Sequence, residues 1–365
     1  MRTLISSEEM ASFRRCRRQW DFGAPARRNL EPIIDDRDPD VSDAIREALA
    51  VYYFPGMWDW DRSMVERLAL AALPRFLPAD SPELDIAGAI LERYFAWAPS
   101  VDGFAPIRVT STYEARVPDV RAPAQGLLDA RGMPVDFAGR IDLLVTDESD
   151  RYWAVRHLVS RGDWTSERVL RIADADLIDA WGWQAAYPGL SIVGTVANEL
   201  RLDLADAAPM APRPAPRPHE AQHVAGGGGR SIPQHQRAWV GGQQPVEETT
   251  RVETGDAFRR TWIPCSPQDY VVAGLRVGRL AAEMLEPTVP VHPTPAAAHC
   301  PACPFLDPCI AMNRALAADE MLATAFRPHV RAAVVAGRLG AATWGTGRGA
   351  APPNWSEPRP PSRDH

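Results

Sequence analysis

The sequence contains no lysine; all 40 of its basic residues are arginine. Any mechanism that needs a catalytic lysine is therefore excluded for this chain acting alone. Cysteine is scarce, five in 365 residues. An odd, sparse set does not make a disulfide framework and suits a reducing compartment, read here as the cytoplasm. No apolar run approaches ~18 residues, so no transmembrane helix and no membrane partner is expected. The opening MRTLISSEEM has no apolar core, so no secretory leader is expected either. A net charge of -7 excludes an overall basic field, and any nucleic-acid site must be a local patch. No glycine loop of the Walker or dinucleotide type occurs, which argues against an ATPase or nucleotide-cofactor site.

What is present is a globular composition, 45% hydrophobic and 24% charged. Ser6 with Glu9 forms a capping box that opens a helix over 6–20. Residues 41–97 read as several helices broken by prolines. The period then changes, and 107–117, 135–146 and 151–159 read as strands. A helix over 169–187, a strand over Ser191–Leu202, a strand over Phe258–Pro264 and a helix over Pro267–Leu285 follow. The Pro/Gly-rich stretch 205–250 reads as a disordered insertion, and 341–365 as a disordered tail after a last helix within 311–340. This order predicts an α/β sandwich around a mixed sheet, one domain over 1–310 with a helical insertion at 41–105.

Cys300-Pro-Ala-Cys303 is followed by Cys309. Three cysteines so close suit a soft metal. Zinc would take His299 as its fourth ligand; a 4Fe-4S cluster would take a fourth thiolate, Cys16. The second arrangement would clasp distant parts of the chain and close a large loop.

The residues around those cysteines resemble the iron–sulfur PD-(D/E)XK nucleases, which include AddB-type and RecB-like exonucleases and the CRISPR-associated four-cysteine exonucleases. The matching pieces are Phe-Arg-Arg-Cys16-Arg-Arg-Gln-Trp and Cys300-x2-Cys303-Pro-Phe-x3-Cys309. The resemblance implies that Cys16, Cys300, Cys303 and Cys309 hold a 4Fe-4S cluster, and leaves Cys265 as an ordinary apolar residue. Phe137-Ala-Gly139-Arg-Ile-Asp142 resembles the family's metal-binding strand, with Glu114 on the strand before it. Gln184-Ala-Ala-Tyr187 resembles the family's Gln/Tyr helix, one residue short in its spacing. Asp142, Glu114, Gln184 and Tyr187 are thus the expected remnants of a catalytic site that would use Mg²⁺ or Mn²⁺ to cut DNA.

Two positions break the resemblance. Where the family has a carboxylate and then a lysine, Tyr152-Trp-Ala-Val-Arg156-His-Leu158 supplies Arg156 and Leu158. Where it has a metal-binding histidine, Asp43-Ala-Ile-Arg46 supplies Arg46. A carboxylate from Asp163, Glu167 or Glu199 would not restore the lysine. The expectation is a degenerate nuclease. Either Arg156 pairs with Asp142 in place of the metal's charge, or Arg46 and Arg156 grip phosphates without cutting. Arg14, Arg15, Arg17 and Arg18 around Cys16 form the candidate basic patch. Expected partners are DNA ends or single strands, or a helicase or active nuclease. An active exonuclease with a rearranged site and a redox-sensing iron–sulfur protein are the alternatives. His157, alternating with Arg156, is expected in the core.

Overall fold

A computed structural model describes residues 2–33, 40–204 and 250–329. The expected insertion at 205–250, apart from Thr250, and the expected tail at 341–365 lie outside the described residues. Among those described, seven strands form one mixed sheet and a short pair forms a second. The order across the large sheet begins with β3 (Phe104–Arg116) beside β4 (Val135–Asp147). It continues through β5 (Tyr152–Ser160), β6 (Ile192–Arg201), β8 (Phe258–Pro264) and β7 (Arg251–Thr254). The four-residue β1 (Thr3–Ser6) also pairs with β4, in parallel. β3, β4 and β5 meander antiparallel, whereas β5 and β6 are parallel. Parallel neighbours need a crossover. It is supplied by α6 (Glu167–Ile172) and α7 (Asp174–Ala186).

Strand alternation sorts the core into two layers. One face of the sheet packs Leu143, Val155, Val196 and Trp262 against α3 (Val41–Tyr52), α4 (Arg62–Leu70) and α5 (Pro82–Trp97). The helices at 41–97 are therefore one full layer of this core. The other face packs Ile141, Leu144 and Ala154 against α7, α8 (Pro267–Leu285) and the N-terminal α1 (Ser7–Arg15). Tyr113 reaches α7 between Gly139 of β4 and Gly182, where any side chain on either glycine would collide with its ring. Gly139→Ala should cost about 1–3 kcal/mol in urea unfolding. The same change at Gly88, which faces open space on α5, should stabilise by about 0.5–1 kcal/mol.

Three expected helices are divided. The 6–20 helix breaks at Cys16, whose extended backbone (φ −159°) ends α1 and starts α2 (Arg17–Gly23). The 169–187 helix breaks at Ala173, extended at ψ 103°. The described part of the 311–340 helix is α9 (Leu306–Asn313), α10 (Ala318–Ala325) and the strand β9 (Phe326–Pro328). Ala315 turns left-handed at φ 55° and closes α9 there. β9 pairs antiparallel with β2 (Leu30–Pro32), joining two arms far apart in sequence. No helix among the described residues is long and apolar enough to cross a membrane.

Candidate functional site

β4 pairs with β5 from Thr146↔Tyr152 to Leu143↔Val155, and with β1 from Thr3↔Val135 to Ser6↔Ala138. Between these ladders the strands splay at Gly139–Asp142. The Asp142 carboxylate bridges the gap, accepting the His157 backbone N–H at 2.9 Å. Across β4, Thr110 falls opposite Asp142 in the β3 register and takes φ 46°, rare for a β-branched residue. Kinked strands of this kind re-aim side chains beside functional clefts.

Charges from four elements meet at this gap. α7 contributes Asp176 and Asp179, which the sequence reading missed. β5 contributes Arg156, whose Nη1 donates to Asp176 Oδ1 at 3.0 Å. The expected Arg156–Asp142 pair is thus replaced by Arg156–Asp176, because the first turn of α7 sets Asp176 directly over β5. Asp176, Asp179 and Asp142 all act on the Arg156 charge. Burial pushes the Asp179 carboxyl up to about 7 against the opposing pull of the Tyr113 hydroxyl, which donates to it at 2.7 Å. Burial likewise raises Asp176. On the far side Arg46 pairs with Asp43, and its Nε donates to the His157 carbonyl at 3.3 Å. Arg140 lies 3.7 Å from Glu47 and 3.8 Å from Asp142. The signal for Asp176 and Asp179 was their i, i+3 spacing on an otherwise apolar helix, which puts both on one face.

The remaining expected residues lie elsewhere. Glu114 pairs with Arg2, four β4 positions from Asp142, or about 13 Å along the strand. Gln184 Oε1 accepts the Ile192 N–H at 3.2 Å, tying the end of α7 to β6. Tyr187 packs on Trp183 with centroids 4.3 Å apart. Both lie two or more helical turns from Asp176. Leu158 packs with Leu170, Ala197 and Ile263. Glu199 is buried against Arg259.

The arginines flanking Cys16 have intramolecular partners rather than forming an open phosphate patch. Arg14 pairs with Asp174 at 3.1 Å, and Arg17 with Glu283. Arg15 donates to Gln19 at 3.2 Å. Arg18 Nη1 donates to Asn313 Oδ1 at 2.6 Å and lies 3.7 Å from Cys309 Sγ. Acidic and amide groups on α7, α8 and α9 claim these cations and fasten the N-terminal arm.

Cys16 is buried at the helix break, and Cys309 lies within α9. Cys300 Sγ accepts the Ala296 N–H at 3.3 Å. Burial raises the Cys303 thiol, and the sulfurs of Cys16, Cys309 and Cys300 raise it further. His299 is turned to the Thr294 carbonyl at 2.9 Å. Cys265 stands apart, its thiol pushed up to about 11 by burial. No group of three or more His, Cys, Asp or Glu among the described residues is gathered closely enough to hold an ion outright.

No family model matches the sequence, and no curated protein matches it. A solved structure titled "Crystal structure of SSO0001" aligns over 75% of this chain and 85% of its own, at 13% identity and a TM-score of 0.28. A likeness of that degree decides neither fold nor chemistry.

Proposed function

We propose that this chain is a catalytically degenerate relative of the iron–sulfur PD-(D/E)XK nucleases. It would bind DNA ends or single strands without cutting them, or serve as a structural partner of a helicase or an active nuclease. The observation that carries the reading is Arg156 standing among Asp142, Asp176 and Asp179. A fixed guanidinium there pairs with Asp176 and opposes the entry of a divalent cation. The residues therefore do not fit Mg²⁺ or Mn²⁺, and no hydrolytic step is derived. Arg46, Arg140 and Arg156 hold carboxylate partners as Arg14 and Arg17 do, and we propose Arg140 and Arg156, about two-fifths exposed at the gap, as the phosphate contacts.

The cysteine arms are read as ligands of a 4Fe-4S cluster because their spacing resembles that of the iron–sulfur nucleases; four thiolates alone would serve zinc equally. The proposed donor set is Cys16, Cys300, Cys303 and Cys309, with His299 held at the Thr294 carbonyl instead. Arg18 stands beside one of these sulfurs, its Nη1 3.7 Å from Cys309 Sγ. When bound, the cluster would supply covalent iron–sulfur links between the arms. Cys16, Cys300, Cys303 and Cys309 would hold it.

The test incubates purified protein with end-labelled single- and double-stranded DNA and Mn²⁺, beside Asp142→Asn. Intact DNA in every lane, with retarded DNA on a native gel, is the expected result. Cleavage that disappears in Asp142→Asn would overturn the reading and establish a lysine-free active site.

A further inference from the structure

We infer that Arg18 is a positioning residue for the cysteine-held group, tuning its electron affinity. The inference rests on the four-thiolate reading above. Arg18 sits two residues after Cys16, on the first turn of α2. Its Nη1 points at Cys309 from two directions, 3.7 Å from Sγ and 3.4 Å from the carbonyl oxygen, and Asn313 Oδ1 anchors it at 2.6 Å. Its backbone N–H is fixed to the His292 carbonyl at 3.1 Å. The guanidinium is therefore held between both arms by groups other than a carboxylate. Its Nε is buried and has no acceptor among the described residues.

That arrangement is costly against neutral thiols. A buried donor without a partner costs about 1–3 kcal/mol, and a thiol is a weak acceptor. It is favourable against thiolate and sulfide, where the same donors make charge-assisted bonds. The other arginines nearby differ. Arg14 and Arg17 point to carboxylates on α7 and α8, which cancel their charge locally. Arg18 faces sulfur, with no carboxylate on it among the described residues. A positive donor at sulfur stabilises the more negative, reduced cluster over the oxidised one, and so raises the reduction potential.

The experiment reconstitutes the full chain anaerobically with iron and sulfide, then follows one-electron reduction by dithionite. Midpoints are read by EPR in wild type, Arg18→Gln, Arg18→Lys and Arg17→Gln. Loss of one charge-assisted bond should weaken reduction about tenfold, a shift of ~59 mV negative for one electron. Arg18→Gln should show that shift, Arg18→Lys a smaller one, and Arg17→Gln none. Equal midpoints in wild type and both Arg18 variants would overturn the inference while leaving the cluster standing. If Arg18→Gln does not assemble, Arg18→Lys against Arg17→Gln decides alone. Failure of wild type to take up a four-iron chromophore would overturn the cluster reading and this inference with it.

Discussion

Replacing Arg260 with methionine is expected to lower the unfolding free energy by about 3–5 kcal/mol, the scale for removing one partner of a buried ion pair. Arg260 is 1% exposed, in the middle of β8. Its Nη1 pairs with Asp102 at 2.9 Å, and its Nη2 donates to Tyr53 and Tyr94 at 3.2 and 3.1 Å. The guanidinium also lies 5.0 Å from the centre of the Phe104 ring and 5.2 Å from that of Trp97. Methionine fills part of the volume but strips the buried Asp102 of its cation, and one of its carboxylate oxygens already has no donor among the described residues. Urea unfolding of Arg260→Met checks the figure. Adding Asp102→Leu to that variant should recover much of the loss, because it removes the stranded carboxyl group. By contrast, Arg171→Met breaks an exposed pair with Glu167 and an exposed hydrogen bond to the Thr250 hydroxyl and should change stability by less than about 1 kcal/mol. An Arg260→Met loss as small as that of Arg171→Met would show that the network is not a stabilising element.

The second large effect is acid lability through His157. Its ring is buried on the α3/α5 face and stacks on Tyr53 at 6.1 Å. Asn198 Nδ2 lies 2.9 Å from Nδ1. The amide donates, so Nδ1 accepts and the ring proton sits on Nε2. Burial lowers the imidazole to about 4, Asp142 opposes this, and the Arg260 and Arg46 charges add to it. The unfolded chain titrates near 6.5. The folded state therefore binds the proton less well than the unfolded state. Stability from this group is full above pH 6.5 and is lost as pH falls toward 4. At 1.36 kcal/mol per unit the total is about 3 kcal/mol. Urea midpoints from pH 7.5 down to 4.5 should fall more steeply in wild type than in His157→Phe. Parallel slopes would show that another group carries the acid sensitivity.

The sheet was largely legible, the site only in part. β8 and α8 were read with their full bounds, and the structure adds a capping box of Ser266 and Asp269 at the start of α8. β3, β4 and β5 were found within a few residues through their period-two alternation. β1, β2, β7 and β9 were missed, since strands of three or four residues are specified by distant partners more than by local pattern. Nothing in Arg259-Arg260 tells which arginine is buried until Tyr53, Tyr94 and Asp102 are in place. At the gap, Asp142 and Arg156 were read as neighbours on adjoining strands. Asp176 took the arginine because a helix, whose docking the sequence does not spell out, was laid across them. Neither helix break, at Cys16 or Ala173, has a glycine or proline to announce it.

The pairing of β2 with β9 has a bearing on synthesis. Leu30 leaves the ribosome early, but its partner Pro328 is about 300 residues away and emerges roughly 15–60 s later at ordinary elongation rates. β1 waits in the same way for Val135. Through that interval Phe22, buried in the finished protein against Phe305 and Phe326, has no native cover. The N-terminal arm is therefore the stretch of the nascent chain with most to gain from a chaperone.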